Sequence, residues 1–343
     1  MDAKIQNLTF GVELELHTRN PNGAAAAVAA AIGKPCPVEG YNHYDRGHWK
    51  VVTDGSLGGG DGWEFVSPPL KGEEGLAELK KVLETLVAQG ATVGRDCGTH
   101  VHVGVGTDPD LGFLKRLMKG YAVYESAIDT VMAPSRRGNV NTYCRSLTTI
   151  PLTQIDAATS RYALISLMRA GRFTKLNLTM RHPTVEFRQH QGTLEYDKLS
   201  NWVLLCLRLV AAAKDDTLEL PTMMTTESTG GGPQLNRARR GSKARIIGDL
   251  LLRTEGTTAR EVMRTVGWPS VSIPQQARLC GLRVVRERMG RSVRYYARAA
   301  EATVVTREAT LDRLLNVLQA PTAEREYFTA RVARWNGRQR AAA

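Results

Sequence analysis

From Phe10 to His17 every second residue is apolar: Phe10, Val12, Leu14 and Leu16 alternate with Gly11, Glu13, Glu15 and His17. Successive side chains of a β-strand point to opposite faces, so this period of two predicts a strand with one greasy side. Thr99 to Val105 repeats the pattern, setting Val101, Val103 and Val105 against His100, His102 and Gly104. Thr184 to His190 does the same, with Val185 and Phe187 opposing Glu186, Arg188 and His190. A fourth candidate, Trp63 to Ser67, sets Glu64 between Trp63 and Phe65 and follows the turn-like Asp54-Gly55-Ser56. Helical spacing marks Glu73 to Gln89, through Leu76, Leu79, Val82, Leu83 and Leu86, and also Leu111 to Met132 and Leu199 to Ala213. These elements predict an α+β body over residues 1–222.

The pattern breaks after Met223. Residues 223–241 collect threonines, serines and the run Gly230-Gly231-Gly232-Pro233 without apolar periodicity, which reads as a flexible linker. Residues 242–298 then show three helical signals and a hairpin. Ser242 is placed to cap a first helix carrying Ile246, Ile247, Leu250 and Leu251, and Thr257 or Thr258 a second burying Val262 and Met263. A third opens at Ser272-Ile273-Pro274, and Val284, Val285, Val293 and Tyr295 suit two strands around Met289-Gly290-Arg291. That is the order of a winged helix-turn-helix. Residues 299–343 read as a helical tail with Leu311, Leu314, Leu315 and Leu318 in one stripe and Phe328, Val332 and Trp335 in another.

Charge sharpens this division. The net charge is +12, yet residues 231–300 hold fifteen Lys and Arg against four Asp and Glu, leaving the remainder close to neutral. A local basic patch favours a polyanionic partner, because each neutralised phosphate releases counterions. In winged-helix geometry Ser270, Ser272, Gln275, Gln276 and Arg278 fall on or near the recognition helix, with Arg288, Arg291 and Arg294 on the wing. Nucleic acid is therefore the expected partner of this segment, with protein contact the alternative. No run of about eighteen apolar residues is present, so no membrane span is expected. Met1 to Phe10 lacks the basic and apolar regions of a secretory leader, and the five cysteines are widely spaced without Cys-x-x-Cys. The expectation is a cytoplasmic protein with reduced thiols.

Solvated strand faces favour Thr, Lys, Arg and Ser, whereas these three carry Glu-x-Glu, His-x-His and Glu-x-Arg. Carboxylates gathered on one face repel one another unless a cation sits among them. Hard divalent ions such as Mg²⁺ and Mn²⁺ take carboxylate oxygens, with an imidazole tolerated. Glu13, Glu15, Glu64, Glu186 and His100 are thus candidate metal ligands. Arg188 beside Glu186 suits a phosphate oxygen, and metals with an arginine equip a site for phosphoryl transfer. No Walker A or Gly-x-Gly-x-x-Gly sequence follows a strand, which argues against P-loop and Rossmann nucleotide sites.

Phe-Gly-Val-Glu-Leu-Glu at 10–15, Cys-Gly-Thr-His-Val-His-Val-Gly at 97–104 and Thr-Val-Glu-Phe-Arg-Gln-His at 184–190 resemble the amidoligase family. That family groups with glutamine synthetase and γ-glutamylcysteine synthetase as carboxylate–amine ligases. Asp54-Gly55-Ser56, Glu64-Phe65-Val66-Ser67-Pro68 and Arg172 to Leu178 fit the intervening pattern, so the likeness spans roughly residues 8–215. The resemblance implies a glutamine-synthetase-like antiparallel sheet with helices packed on its apolar face. It implies ATP and Mg²⁺ (or Mn²⁺) as cofactors, and amine and carboxylate substrates, including peptide or protein ones. Glu13, Glu15, Glu64, His100 and Glu186 take the metal positions, and Arg188 with Glu186 the catalytic ones. His102, Arg172, Lys175, Asn177 and Arg188 take positions near the nucleotide. The implied reaction passes through an acyl phosphate that an amine attacks. Two alternatives stand beside it: a metal-dependent hydrolase or nuclease using the same Glu and His residues, and a DNA-binding regulator with a non-catalytic, ligand-sensing body.

Overall fold

The computed structural model describes residues 2–42, 44–58, 60–179, 182–220, 241–253, 255–280, 282–289, 292–298 and 310–341. Most of the expected linker, and Arg291 of the expected wing, lie outside them. The chain forms two compact units: Met1–Pro221 together with Arg307–Ala343, and Thr222–Thr306.

The first unit is built on an antiparallel sheet. Its strands are β1 (Thr9–His17), β2 (Lys50–Val52), β3 (Gly62–Val66), β4 (Leu70–Lys71), β5 (Gly98–Gly104), β6 (Leu176–Asn177) and β7 (Thr184–Gln191). The spatial order is β2-β3-β1-β5-β7-β6, with β4 paired to β1. Helices α1 (Ala3–Gln6), α2 (Pro21–Ile32), α3 (Gly72–Ala88), α4 (Leu111–Asp129), α5 (Leu152–Ala157), α6 (Arg161–Ser166) and α7 (Tyr196–Lys214) complete its first segment. The alternation sorts the sheet's two faces as the sequence predicts. Phe10, Val12, Leu14, Leu16, Val101, Val103, Val185 and Phe187 are all buried, in one core with Leu79, Val82, Leu83 and Leu86 of α3. The Phe187 ring lies 5.8 Å from Tyr121 of α4 and 6.4 Å from Trp202 of α7, centroid to centroid. Burying each large apolar side chain contributes roughly 1.5–3 kcal/mol. A one-residue slip of β1 would turn its glutamates into that core, so packing holds the register and, with it, the polar face.

The tail returns to the first unit. Helices α11 (Leu311–Val317) and α12 (Thr322–Ala341) bury Leu314, Leu315, Leu318 and Phe328 in the same core, with Val332 packed against it. Arg208 of α7 makes a two-pronged ion pair with Glu324, Nε to Oε2 at 2.9 Å and Nη2 to Oε1 at 3.0 Å. Its Nη1 donates to Asp2 Oδ2 at 3.0 Å, which ties both chain ends to α7.

The second unit contains α8 (Lys243–Leu251), β8 (Thr257–Thr258), α9 (Ala259–Val266), α10 (Ile273–Leu279), β9 (Arg283–Met289) and β10 (Ser292–Arg298). Ser242 caps α8 by accepting from the Arg245 N–H at 3.2 Å, and Thr258 caps α9 through Glu261 N–H at 3.2 Å. The strands form a small sheet in the order β8-β10-β9. Ile247, Leu250, Leu251, Val262, Val266, Ile273, Ala277, Cys280 and Leu282 make a separate core. All five cysteines are free and buried. Among the described residues no helix is long and apolar enough to cross a membrane.

Candidate active site

Strand pairing brings distant residues together. Glu13 on β1 sits opposite His100 on β5, Glu15 opposite Glu64 on β3, and His102 opposite Glu186 on β7. Asn177 on β6 faces Glu186 from the other side. Because same-row side chains on one sheet face stand about 5 Å apart, these groups must interact. His100 is the hub. Its Nδ1 lies 2.8 Å from Glu13 Oε2 and 3.6 Å from Glu186 Oε1, while its Nε2 lies 3.6 Å from Glu15 Oε1. His102 Nε2 is 3.1 Å from Glu13 Oε1, and its Nδ1 is 3.0 Å from the Thr184 hydroxyl. Asn177 donates to Glu186 Oε2 at 2.7 Å, and Arg188 is ion-paired with Glu186 Oε1.

Two groups of three that share His100 could each hold a cation: Glu13, His100 and Glu186, and Glu15, Glu64 and His100, each with ligand atoms within 4.8 Å of one another. The electrostatics fit that role. Burial, with Glu13 and Glu15 beside it, pushes the Glu64 carboxyl well above the usual range. Burial works in the same direction on Glu13, but His102 and His100 outweigh it and hold that carboxylate well below the usual range. Burial likewise opposes charge on His102, yet Glu13 and Glu186 raise it to about 9. The residues thus carry more negative charge than their cations neutralise, and oxygen-rich groups with one imidazole match Mg²⁺ or Mn²⁺.

These side chains line a cleft of about 790 Å³ on the polar face, together with Asp54, Arg136, Tyr143 and Arg172. A second cleft of about 560 Å³, with walls that include Leu8, Val66, Pro69 and Val105, shares Glu13, Asn42, Glu64, His102 and His182 with the first. Arg172 is exposed on the rim, its guanidinium carbon 5.0 Å from the Phe173 ring centroid, and Arg188 lies 5.9 Å from the same ring.

One expected site residue does not reach the cleft, and one residue expected on the polar face leaves it. Lys175 is fully buried with its Nζ 2.8 Å from Glu125 Oε1 and 2.6 Å from Asp129 Oδ1, so α4 neutralises it and it is not available to a nucleotide. His190 leaves the polar face because β7 carries one extra residue. Phe187 pairs with Val101 and His190 with Thr99, so three steps on β7 match two on β5. This bulge turns the ring towards Trp202, 5.7 Å away, and burial lowers its pKa to about 3. Conversely, Arg136 lines the cleft although nothing in its Pro134-Ser135-Arg136-Arg137-Gly138 setting separates it from an ordinary loop arginine. Asp54, which the sequence marks only as part of a turn, also lines the cleft.

Residues 6–210 match the family model described as "Putative amidoligase enzyme", which is more than half of the chain and includes every strand of the site. The chain belongs to the amidoligase family. Membership supports a carboxylate–amine ligase in general terms. Among solved structures this amidoligase is similar to the one titled "Crystal structure of the complex between Prokaryotic Ubiquitin-like Protein Pup and its Ligase PafA". That likeness has 13% identity and a TM-score of 0.29, and covers 81% of this chain and 62% of that one. The amidoligase therefore spans less than two thirds of that protein's length. No curated protein matches the sequence.

Proposed function

We propose that the first unit is an ATP-dependent ligase that joins a carboxylate to an amine through an acyl phosphate. The observation that carries this reading is the pair of carboxylate–imidazole groups sharing His100, with Arg188 fixed beside them. Glu13, His100 and Glu186 would hold one divalent ion and Glu15, Glu64 and His100 another. When bound, such ions supply charge neutralisation at the phosphates. The apolar walls beside His102 suit the nucleoside, which leaves the cleft lined by Asp54, Arg172 and Arg188 for the acceptor.

The chain's own groups then have separate tasks. A substrate carboxylate oxygen attacks the γ-phosphorus, the bond to the β-phosphate bridge breaks, and ADP departs. Arg188, held by Glu186 and the Phe173 face, is placed to pair with the moving phosphoryl oxygens, where preorganised charge lowers the barrier. The amine nitrogen attacks the acyl carbon and phosphate leaves with its bonding pair. Asp54 accepts from the Ser56 N–H at 2.7 Å, and no described guanidinium or imidazole pairs with it, so it can take the amine proton. Asn177 orients Glu186.

Incubating the full chain with Mg·ATP and mixed pools of amines and carboxylic acids tests the reading. Condensation products lighter by one water, with one ADP and one phosphate per bond formed, are expected. Cleavage of a nucleic acid or ester without ATP would instead establish the hydrolase or nuclease alternative.

We further propose that the second unit is a winged helix-turn-helix that meets a polyanion. Support comes from its helix, helix, helix, hairpin order and its excess of basic residues. Ser270, Ser272 and Gln275 are exposed on or before α10, Gln276 is half-buried, and Arg278 belongs to the same helix. Arg288 lies on β9, and Arg294 on β10 donates to the Glu255 carbonyl at 2.6 Å. Duplex DNA binding that weakens steeply with salt is the expected result, and salt-independent binding or none would refute it.

A further inference from the structure

Arg136 closes a short 3₁₀ turn (Pro134–Arg136) after α4 and is only 4% exposed, yet it lines the larger cleft. Its Nη2 donates to the Cys97 carbonyl at 2.7 Å, while its Nε has no hydrogen-bond partner. No described carboxylate lies within ion-pair distance of it, whereas the other guanidinium of the inner cleft, Arg188, is paired with Glu186. A buried cation without a direct ion pair is expensive, and an orphaned N–H adds to that. The position explains what could compensate. A single point beside the Gly98 α-carbon lies 3.4 Å from Arg136 Nη1, 3.3 Å from Glu15 Oε2 and 3.2 Å from His100 Nε2. Glycine at 98 therefore lets the guanidinium, Glu15 and His100 crowd together at the reactive end of the cleft, where a β-carbon would press on all three.

We infer that Arg136 is the anchor of an anion subsite that receives the substrate carboxylate. This rests on the ligase reading and adds the residue that recognises the acid. A planar guanidinium pinned at the Cys97 carbonyl and hydrogen-bonded to the Cys144 thiol still presents N–H groups in the geometry a carboxylate matches. The body carrying that carboxylate has apolar surface, because Tyr41, Val140 and Tyr143, which are 67%, 72% and 51% exposed, line the same cleft. Solvent-exposed side chains of this size around a charged cleft suit an aromatic or aliphatic substrate body better than a small fully charged acid.

The test compares 3-phenylpropionate with its neutral isostere 3-phenylpropionamide. Each is titrated calorimetrically into the full chain holding Mg·ADP. In the wild type the acid binds at least tenfold more tightly than the amide. In Arg136→Gln that preference falls to less than twofold, in Arg136→Lys it is partly kept, and Mg·ADP affinity changes less than twofold in both. A residue that merely propped up the Cys97 loop would weaken acid and amide alike. Equal binding of acid and amide by the wild type, or a preference that survives in Arg136→Gln, overturns the inference. Should Arg136→Gln fail to fold, Arg136→Lys decides, and an undiminished preference there overturns it equally. A wild-type chain that does not bind Mg·ADP overturns the ligase reading instead, and the acid–amide comparison is then read without nucleotide.

Discussion

Replacing Lys175 by methionine separates a nucleotide contact from a buried counter-charge. Lys175 is fully buried, and its ammonium is shared by Glu125, itself 2% exposed, and Asp129. Methionine keeps the stem and removes the charge. Glu125 would keep the Leu147 N–H at 2.8 Å, and Asp129 the Gly138 N–H at 2.7 Å, but the two carboxylates would lose their common cation. Removing one member of a buried ion pair costs about 3–5 kcal/mol. For a unit of this size that lowers Tm by roughly 10 °C and shifts the urea midpoint by about 1–2 M at unchanged slope. Adding Glu125→Gln should recover part of the loss, because one of the stranded charges is gone. The assay is urea unfolding of Lys175→Met, Glu125→Gln and the double variant, with the ATP dependence of turnover measured where each is folded. The expected result is a large stability loss with KM for ATP unchanged. Unaltered stability with a raised KM for ATP would refute the burial argument and return Lys175 to the nucleotide.

Glu64→Gln should stabilise the metal-free chain above pH 4.5, because the folded state holds a Glu64 proton that the unfolded chain, with its value of 4.5, has released. Saturating MnCl₂ at a hundred times Kd should add about 2.7 kcal/mol per bound ion to the wild type and less to this variant, as thermal unfolding at pH 5 and pH 8 would show. His190 behaves in the opposite sense to an exposed histidine: burial takes it from 6.5 to about 3, so the unfolded chain protonates first and stability falls as pH drops through that window. The loss is about 3 kcal/mol by pH 4, and unfolding of His190→Gln should lack that slope. Glu324→Ala leaves the buried Arg208 with Asp2 alone and should destabilise the first unit by about 3 kcal/mol in chemical denaturation, which an unchanged midpoint would disprove.

The polar face was legible because strand alternation needs only local sequence. Glu13, Glu15, His100, His102, Glu186 and Arg188 fall where period-two reading places them, and α3, α4 and α7 begin within three residues of their expected starts. His190 shows where that reading fails, since a bulge shifts the phase and leaves no local signature in Glu-Phe-Arg-Gln-His. Lys175 failed for a different reason. Strand β6 holds only Leu176 and Asn177, so alternation does not extend back to residue 175. The better signal lay elsewhere: Glu125 and Asp129 stand four apart on α4, and Glu125 is flanked by the buried Tyr121, Tyr124 and Ile128. An acid inside such a stripe requires a buried cation, although sequence alone does not say which. Arg136 was missed because its burial depends on a loop folding beneath Cys97, a contact between residues far apart in the chain.

Mn²⁺ binding followed by electron paramagnetic resonance addresses the shared-ion site directly. The wild type should bind two ions. Glu13→Gln and Glu186→Gln should each lose one, Glu15→Gln the other, and His100→Ala should weaken both, since its ring belongs to both groups. A wild type that binds no Mn²⁺, or variants that bind it as the wild type does, would contradict the claim that these distant strands build one cation-holding site.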